Sequence, residues 1–444
     1  MTDLFIIGAS GTRAYRTAMA AISENIANAG TAGYSRRSVS TIESGSSTST
    51  MATYVARANF GGTQVRSVDR ASDPYLDASV RLTGMALGSS TARLRWLSDM
   101  ETALNDTGTG IGQLMTGMFQ NMDKLAASPS DTSLRVTTLD SINRVAQAFN
   151  QTAAELKQLS DGIHTEAKDS VQTINSALSN LADINNSLLR AQPGTSAYAQ
   201  LLDSRDAALQ DLSENLNVDI SFGAHDSAQV SFNGTMLVSG ITATSVAVSQ
   251  NSDGTLALAT ADGTALPAPA NGTLGGLFAA AGTVKERRAS LDALAQQFVT
   301  DLNKWHGQGM TDDGKSGEPL LSGTDATTIK ALVTDPKALA TRSKDGTPNG
   351  NLLTVNSTLR GSGSVEQNWT ALISTHANLL ASTKDEQTTA QGRNDQAVAA
   401  REAVSGVDLD MEAADLLRVQ QAYSGCAKVL QIAKETVDSI LQII

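Results

Sequence analysis

The chain has 444 residues, with 33 Lys plus Arg against 45 Asp plus Glu and a net charge of -12. That length suits roughly three domains at about 150 residues each, and it can bury a sizeable core. The acidic balance excludes the electrostatic footprint of a nucleic-acid binder and disfavours anionic membranes, and a single cysteine, Cys426, excludes an internal disulfide.

Aromatics make up 4% of the chain and there are only 8 prolines, a profile suited to long helices. No apolar run approaches the roughly 18–20 residues of a membrane span. The first residues, Met1-Thr2-Asp3-Leu4-Phe5-Ile6-Ile7, lack a basic n-region, so a cleavable secretory signal is not expected. Proline is absent from 1–73, 130–192 and 349–444, which permits long helices there.

The first expected helix covers 3–28. Leu4, Ile7, Gly11, Ala14, Ala18, Ala21 and Asn25 recur at alternating steps of three and four. This heptad seam is lined with small residues that bury little area, so the helix needs a partner. Asn28-Ala29-Gly30 and Gly33 supply helix-stop chemistry. Residues 35–72 read as an extended connector with short strands; eight of the thirteen positions from Thr41 to Thr53 are Ser or Thr. A helix follows from Asp73-Pro74 to about Leu104, and 105–112 is a turn between helices.

Ser128-Pro129-Ser130-Asp131 is a helix start with capping side chains. The long helix after it carries Ile142, Val145, Phe149, Thr152, Leu156, Leu159 and Ile163. The phase then slips by one residue and resumes at Val171, Ile174, Leu178, Leu181 and Leu188. A shorter helix covers about 196–215. From Ser227 to Val284 only Asp253 and Asp262 are charged, and Asn233-Gly234, Asp253-Gly254 and Asp262-Gly263 are hairpin-turn signals. These residues predict a small inserted β domain closed by Pro267 and Pro269.

Helix returns at about 283–306, with Leu291, Leu294, Phe298, Leu302 and Trp305 on one face. Residues 307–365 read mostly as loop, and 366–404 as a long helix that breaks at Ser405-Gly406-Val407. The last helix has an unbroken a series of Leu409, Leu416, Tyr423, Leu430, Val437 and Ile444. Its d series is Glu412, Val419, Cys426, Ala433 and Ile440. Asp408 can cap it, and Asp410 and Glu412 suit its positive end. Each terminus is thus a heptad helix set off by a Gly break, and the simplest partner for one end is the other.

The expected fold is mainly α, with elongated helical bundle or coiled-coil domains formed by the N- and C-terminal regions and an inserted small β-rich domain. Expected segments are an N-terminal core helix in 1–34, a helical rod in 35–216 and 273–404, the β insertion in 217–272, and a C-terminal core helix in 405–444.

Catalytic and cofactor chemistry finds no candidate in these residues. Gly8-Ala9-Ser10-Gly11 lacks the spacing of a nucleophile elbow. Gly108-Thr109-Gly110-Ile111-Gly112 is not a phosphate loop, and Asp312–Glu318 lacks the ligand spacing of a calcium loop. His164, His225, His306 and His376 are far apart and none has a second His at i+3 or i+4. No catalytic, cofactor-binding or metal residue is assigned.

Ala27-Asn28-Ala29-Gly30-Thr31-Ala32-Gly33-Tyr34 resembles the A-N-A-G-T-P-G-Y signature that closes the N-terminal helix of bacterial flagellar axial proteins; Ala32 stands where Pro is usual. Ser405-Gly406-Val407-Asp408-Leu409, Glu412-Ala413-Ala414, Leu416-Leu417 and Gln420-Gln421-Ala422-Tyr423 resemble the C-terminal helix of the same family. Asp408, Met411 and Asp415 stand where Asn, Glu and Asn are commoner. Within the family the Gln-Gln-Ala-Tyr form and Leu274-Gly275-Gly276-Leu277 are most similar to the hook-associated branch.

The resemblance implies a structural protein of the hook-filament junction. It would be exported through the flagellar type III apparatus without a cleaved signal peptide and lie outside the cell. The implied partners are other copies in a ring, the hook protein, the distal junction protein, and a cytosolic export chaperone on the C-terminal helix. Assembly is expected to use the N-terminal seam named above and Leu409, Leu416, Val419, Tyr423, Leu430, Val437, Ile440 and Ile444. Alternatives are a hook, rod or flagellin-like axial protein, a cytosolic coiled-coil scaffold, or an enzyme with a scattered site.

Overall fold

A computed structural model describes residues 2–44 and 61–442. The middle of the expected Ser/Thr-rich connector, 45–60, and Ile444 lie outside the described residues. The fold is mainly α with small antiparallel sheets, as the periodicity predicts.

Helix starts follow their capping side chains. The first helix, α1 (Thr2–Asn28), leads into strands β1 (Arg37–Glu43) and β2 (Thr63–Arg70), which pair antiparallel. Helix α2 (Pro74–Ala103) begins where Asp73 Oδ1 accepts the Tyr75 N–H at 2.8 Å, with Pro74 placed where no N–H is needed. Asp106 does the same for α3 (Ile111–Ala127), accepting from Gly112 N at 2.7 Å. Asp131 caps α4 (Thr132–Leu188), and Thr195 caps α5 (Ser196–Asn215). The one-residue phase slip in α4 does not interrupt it; the helix runs 57 residues.

Two compact units form. One comprises Met1–Ala86, Thr173–Ser245 and Gln391–Ile444; the other comprises Leu87–Gln172 and Val246–Ala390. Helices α2, α4 and α8 (Val365–Ser405) contribute residues to both.

The β-rich stretch expected as one insertion over 217–272 forms two sheets. Strands β3 (Asp219–Phe222), β4 (Ala228–Phe232), β5 (Thr235–Ser239) and β6 (Thr242–Ala243) make an antiparallel meander in the first unit. Strands β7 (Val246–Gln250), β8 (Leu256–Thr260) and β9 (Ala265–Leu266) make another in the second. The cause lies in α4, which anchors each sheet separately. Buried Asn185 accepts from Ala228 N at 2.7 Å and donates to Ala228 O and Gly240 O at 2.8 Å. Ser160 instead takes the Gln250 amide at 3.0 Å.

Helix α6 (Gly272–Gln308) starts eleven residues before the expected 283. Gly275 and Gly276 lie within its first turns and do not interrupt it. In the structure Gly276 lies against the backbone of Ser89, so its missing Cβ permits close packing rather than a turn. The second unit's core gathers Met100, Met115, Met118, Met122 and Leu125, with Phe149 stacked on Phe298 at 5.9 Å between centroids.

Candidate functional site

The last helix, α9 (Leu409–Leu441), packs antiparallel along α1 within the first unit. Its start is fixed by Asp408, which accepts from Asp410 N at 3.0 Å and Met411 N at 3.1 Å. The small residues of α1 let the two backbones approach. A Cβ on Gly8 would fall 2.7 Å from Leu430 Cγ and 3.3 Å from the Cys426 carbonyl. A Cβ on Gly11 would fall 2.5 Å from Cys426 Sγ. Enlarging either glycine requires the Leu430 or Cys426 side chain, or α9 itself, to shift.

At the other end of the pair the apolar seam gives way to a polar hub. Asn25 is fully buried and uses its whole hydrogen-bonding capacity. Its amide donates to Arg37 O and to Glu412 Oε2, both at 2.9 Å. Its Oδ1 accepts from Tyr34 OH at 2.8 Å and Arg37 N at 2.9 Å. Glu412, 2% exposed, also takes the Arg36 guanidinium at 2.8 Å. Burial pushes the Tyr34 phenol up to about 12, so it stays a donor to Asn25 at ordinary pH.

Backbone contacts extend the hub, since Arg36 N donates to Ser405 O at 2.9 Å across the two Gly breaks. Gly33 adopts φ +76°, which the turn after α1 needs. Below it Arg37 reaches Glu24 at 2.6 Å and Asp203 at 3.3 Å, and Arg70 reaches Asp203 at 2.9 Å and Asp206 at 2.7 Å. These pairs fasten β1 and β2 to α1 through Glu24 and to α5 through Asp203 and Asp206. A groove of about 890 Å³ opens beside the hub, lined by 28–36, 401–408, Arg70, Asp77 and Asp206.

The expected site residues divide by position. Gly11, Ala14, Ala21 and Asn25 are buried, and Ile7 and Ala18 half-buried, on the α1 face toward α9. Val419 is buried and Leu416, Tyr423, Leu430 and Val437 half-buried on the matching face of α9. Three do not fit the seam: Leu4, Leu409 and Ile440 are exposed at 43%, 52% and 42%. The register explains this. Gly11 against Cys426 and Asn25 against Glu412 put Leu409 at the end of α1, Ile440 beyond its start, and Leu4 in its first turn. Ile444 lies outside the described residues.

Of the signature residues, Tyr34 joins the hub, Asn28 is half-buried, and Ala27, Gly30 and Gly33 are exposed. Gln420 and Gln421 point away from α1 and are exposed, whereas Ala422 and Tyr423 are half-buried. Sequence reasoning placed Glu412 in the d series and at the positive end of the last helix but gave it no partner. A carboxylate at a d position of an apolar seam was the available signal for a buried partner. Gly8 and Arg36 carried no pattern of their own.

Exposed large apolar side chains concentrate in the first unit; among the described residues only Val136, Leu332 and Leu353 belong to the second. The α1/α9 pair exposes Leu4, Phe5, Ile6, Leu417, Ile432, Ile440 and Leu441 among others. Among the described residues no three His, Cys, Asp or Glu gather to hold a metal, and no helix is long and apolar enough to cross a membrane.

Long helices, ends closed on each other by a small-residue seam, and an apolar outer face on that pair define an assembly protein. Residues 97–321 match the family model described as the flagellar hook-associated protein FlgK helical domain, and 402–443 match that of the flagellar basal body rod FlgEFG protein C-terminal segment. The chain belongs to the FlgK flagellar hook-associated family, a structural component of the bacterial flagellum and not an enzyme.

It is 25% identical to flagellar hook-associated protein 1 of Bacillus subtilis (strain 168), over 99% of this chain and 98% of that one. It is 25% identical to the Escherichia coli (strain K12) protein of the same name, over 72% of this chain and 60% of that longer relative. A solved structure, the flagellar hook junction protein FlgK from Burkholderia pseudomallei, shares the fold with a TM-score of 0.65 at 15% identity, covering 75% of this chain and all of that one.

Proposed function

We propose that this chain is a hook-filament junction protein that assembles through its paired terminal helices. Segments 1–34 and 405–444 supply the axial core, and copies pack side by side in a ring between the hook protein and the distal junction protein. The observation that carries this reading is the set of large apolar side chains exposed on the α1/α9 pair, Leu417 and Ile432 among them. The seam residues are already occupied within the chain, so the outward side chains Leu417 and Ile432 are the assembly contacts.

Export proceeds through the flagellar type III apparatus without a cleaved signal, and a cytosolic chaperone covers the exposed face of α9 beforehand. Shielding that face in the cytoplasm suits an apolar helix that must not aggregate before export. Gold labelling of the chain on intact flagella tests the proposal. Label confined to the hook-filament boundary supports it; label along the filament, within the hook or only in the cytoplasm refutes it.

A further inference from the structure

We infer that the buried Asn25–Glu412 hub is the register key of the α1/α9 pair: it selects one antiparallel alignment among several that the small-residue seam would accept. The inference concerns the folded chain and does not depend on the place of the protein in the flagellum.

The seam itself discriminates poorly. Gly8 and Gly11 seat Leu430 and Cys426, but Ala14, Ala18 and Ala21 differ from them by a single methyl group, so the apolar residues of α9 meet a shallow track. A slip by one heptad, about 10 Å along the helix, would again set α9's apolar face on glycine and alanine. The hub does not tolerate such a slip. In one direction Asn25 moves against Val419; its bonds to Arg37 and Tyr34 stay, since they lie within the N-terminal segment, but the Glu412 acceptor is lost and that amide proton is left in an apolar setting. In the other, Glu412 moves against Ala18, and its carboxylate is buried without Arg36 or Asn25. A buried polar group stripped of partners is costly, and a single buried Asn is a known means of fixing helix register. Arg36 completes the key because it lies just past the end of α1 and its guanidinium reaches Glu412 in this alignment.

Cys426 makes alignment measurable, because it is the one cysteine and lies against Gly11. Three single cysteines report three registers on mild oxidation of the full-length chain. Gly11→Cys bridges Cys426 in the native alignment, while Ala18→Cys and Leu4→Cys bridge it only after a heptad slip in either direction. Unslipped, those two positions are about 10 Å away along the axis, beyond disulfide reach. Each is compared with the hub intact and with the hub replaced by Glu412→Leu, a change that removes the link to α9 and leaves Asn25 bonded to Arg37 and Tyr34.

With the hub intact, the bridge is expected only from position 11. With the hub replaced, bridging from position 11 should fall at least two-fold, with bridges appearing from 18 or 4. A hub-replaced chain that bridges fully from 11 and from neither other position overturns the inference. So does loss of all three bridges, since the hub would then hold the pair together rather than align it.

Discussion

At the residue scale, Asn25, Glu412 and His306 are buried with every side-chain polar atom hydrogen-bonded. Replacing Glu412 by Ala strands one Asn25 amide proton and leaves a void, and should cost about 2 kcal/mol, the usual penalty for an unsatisfied buried group. Glu412→Gln keeps the shape and an acceptor and should cost less. Comparing amide exchange across α1 in the two variants checks this; equal protection would mean that the acceptor and volume kept by Gln contribute nothing. A second buried group gives a pH dependence. His306 is fully buried, with Nδ1 2.6 Å from Glu318 O and Nε2 accepting from Ala340 N at 2.8 Å. Those bonds require the neutral ring, and burial holds its pKa below 6.5. His376, buried against Leu97 O, is shifted the same way, again first by burial. Below pH 6.5 the unfolded chain therefore binds more protons than the folded one. Stability is fully present above that pH and falls as pH drops toward the folded pKa values. Urea midpoints at pH 7.5 and 5.5 should differ in that sense, and His306→Gln should shrink the difference. Of this residue-scale chemistry little was legible in sequence. The seam spacing showed Asn25, but the partners of Glu412 come from 387 and 376 residues away, and no local pattern encodes them.

At the element scale, helices were legible where side chains cap them. Asp73, Asp131, Thr195 and Asp408 each accept from the first turn they announce. Illegible features depended on what a glycine faces. Gly275 and Gly276 resemble breakers but permit close packing in α6, and Gly8 looks like a weak helix position but seats Leu430. The division of the β stretch into two sheets likewise follows from Asn185 and Ser160 on α4, far away in sequence. The same contrast yields a prediction on α1 and α9. Gly11→Val would drive a branched side chain into Cys426 and should destabilise the pair by about 1–3 kcal/mol, as overpacking does. Gly425, mid-helix in α9, has open space where its Cβ would go, so Gly425→Ala should stabilise α9 by about 0.5–1 kcal/mol. Exchange protection of α9 should move in opposite directions in the two variants. Protection falling in both would mean that the outer face of α9 is already in contact with something in the free chain.

At the scale of the whole molecule, the paired ends separate folding from assembly. The inner faces of α1 and α9 satisfy each other, so a charge placed there acts on the chain itself. Leu430→Asp would bury a carboxylate beside Gly8 and should unpair the ends, lowering exchange protection across α1 before any assembly occurs. Read from sequence alone, the same substitution would have been taken as a test of assembly. The outer face behaves differently. Leu417 is 62% exposed, so Leu417→Asp should leave the monomer's stability within the small range of surface substitutions, about 0.5 kcal/mol. If outward apolar contacts join neighbouring copies, each of the many interfaces in a ring would carry the charge, and the defects would multiply around it. Cells carrying Leu417→Asp should then export the chain into the medium, build hooks, and lose filaments. Lys428→Asp, on the same outward face but without apolar area to lose, should be milder. Normal swimming with Leu417→Asp would place the assembly contacts elsewhere on the first unit, whose remaining exposed apolar residues include Tyr75 and Leu82 on α2.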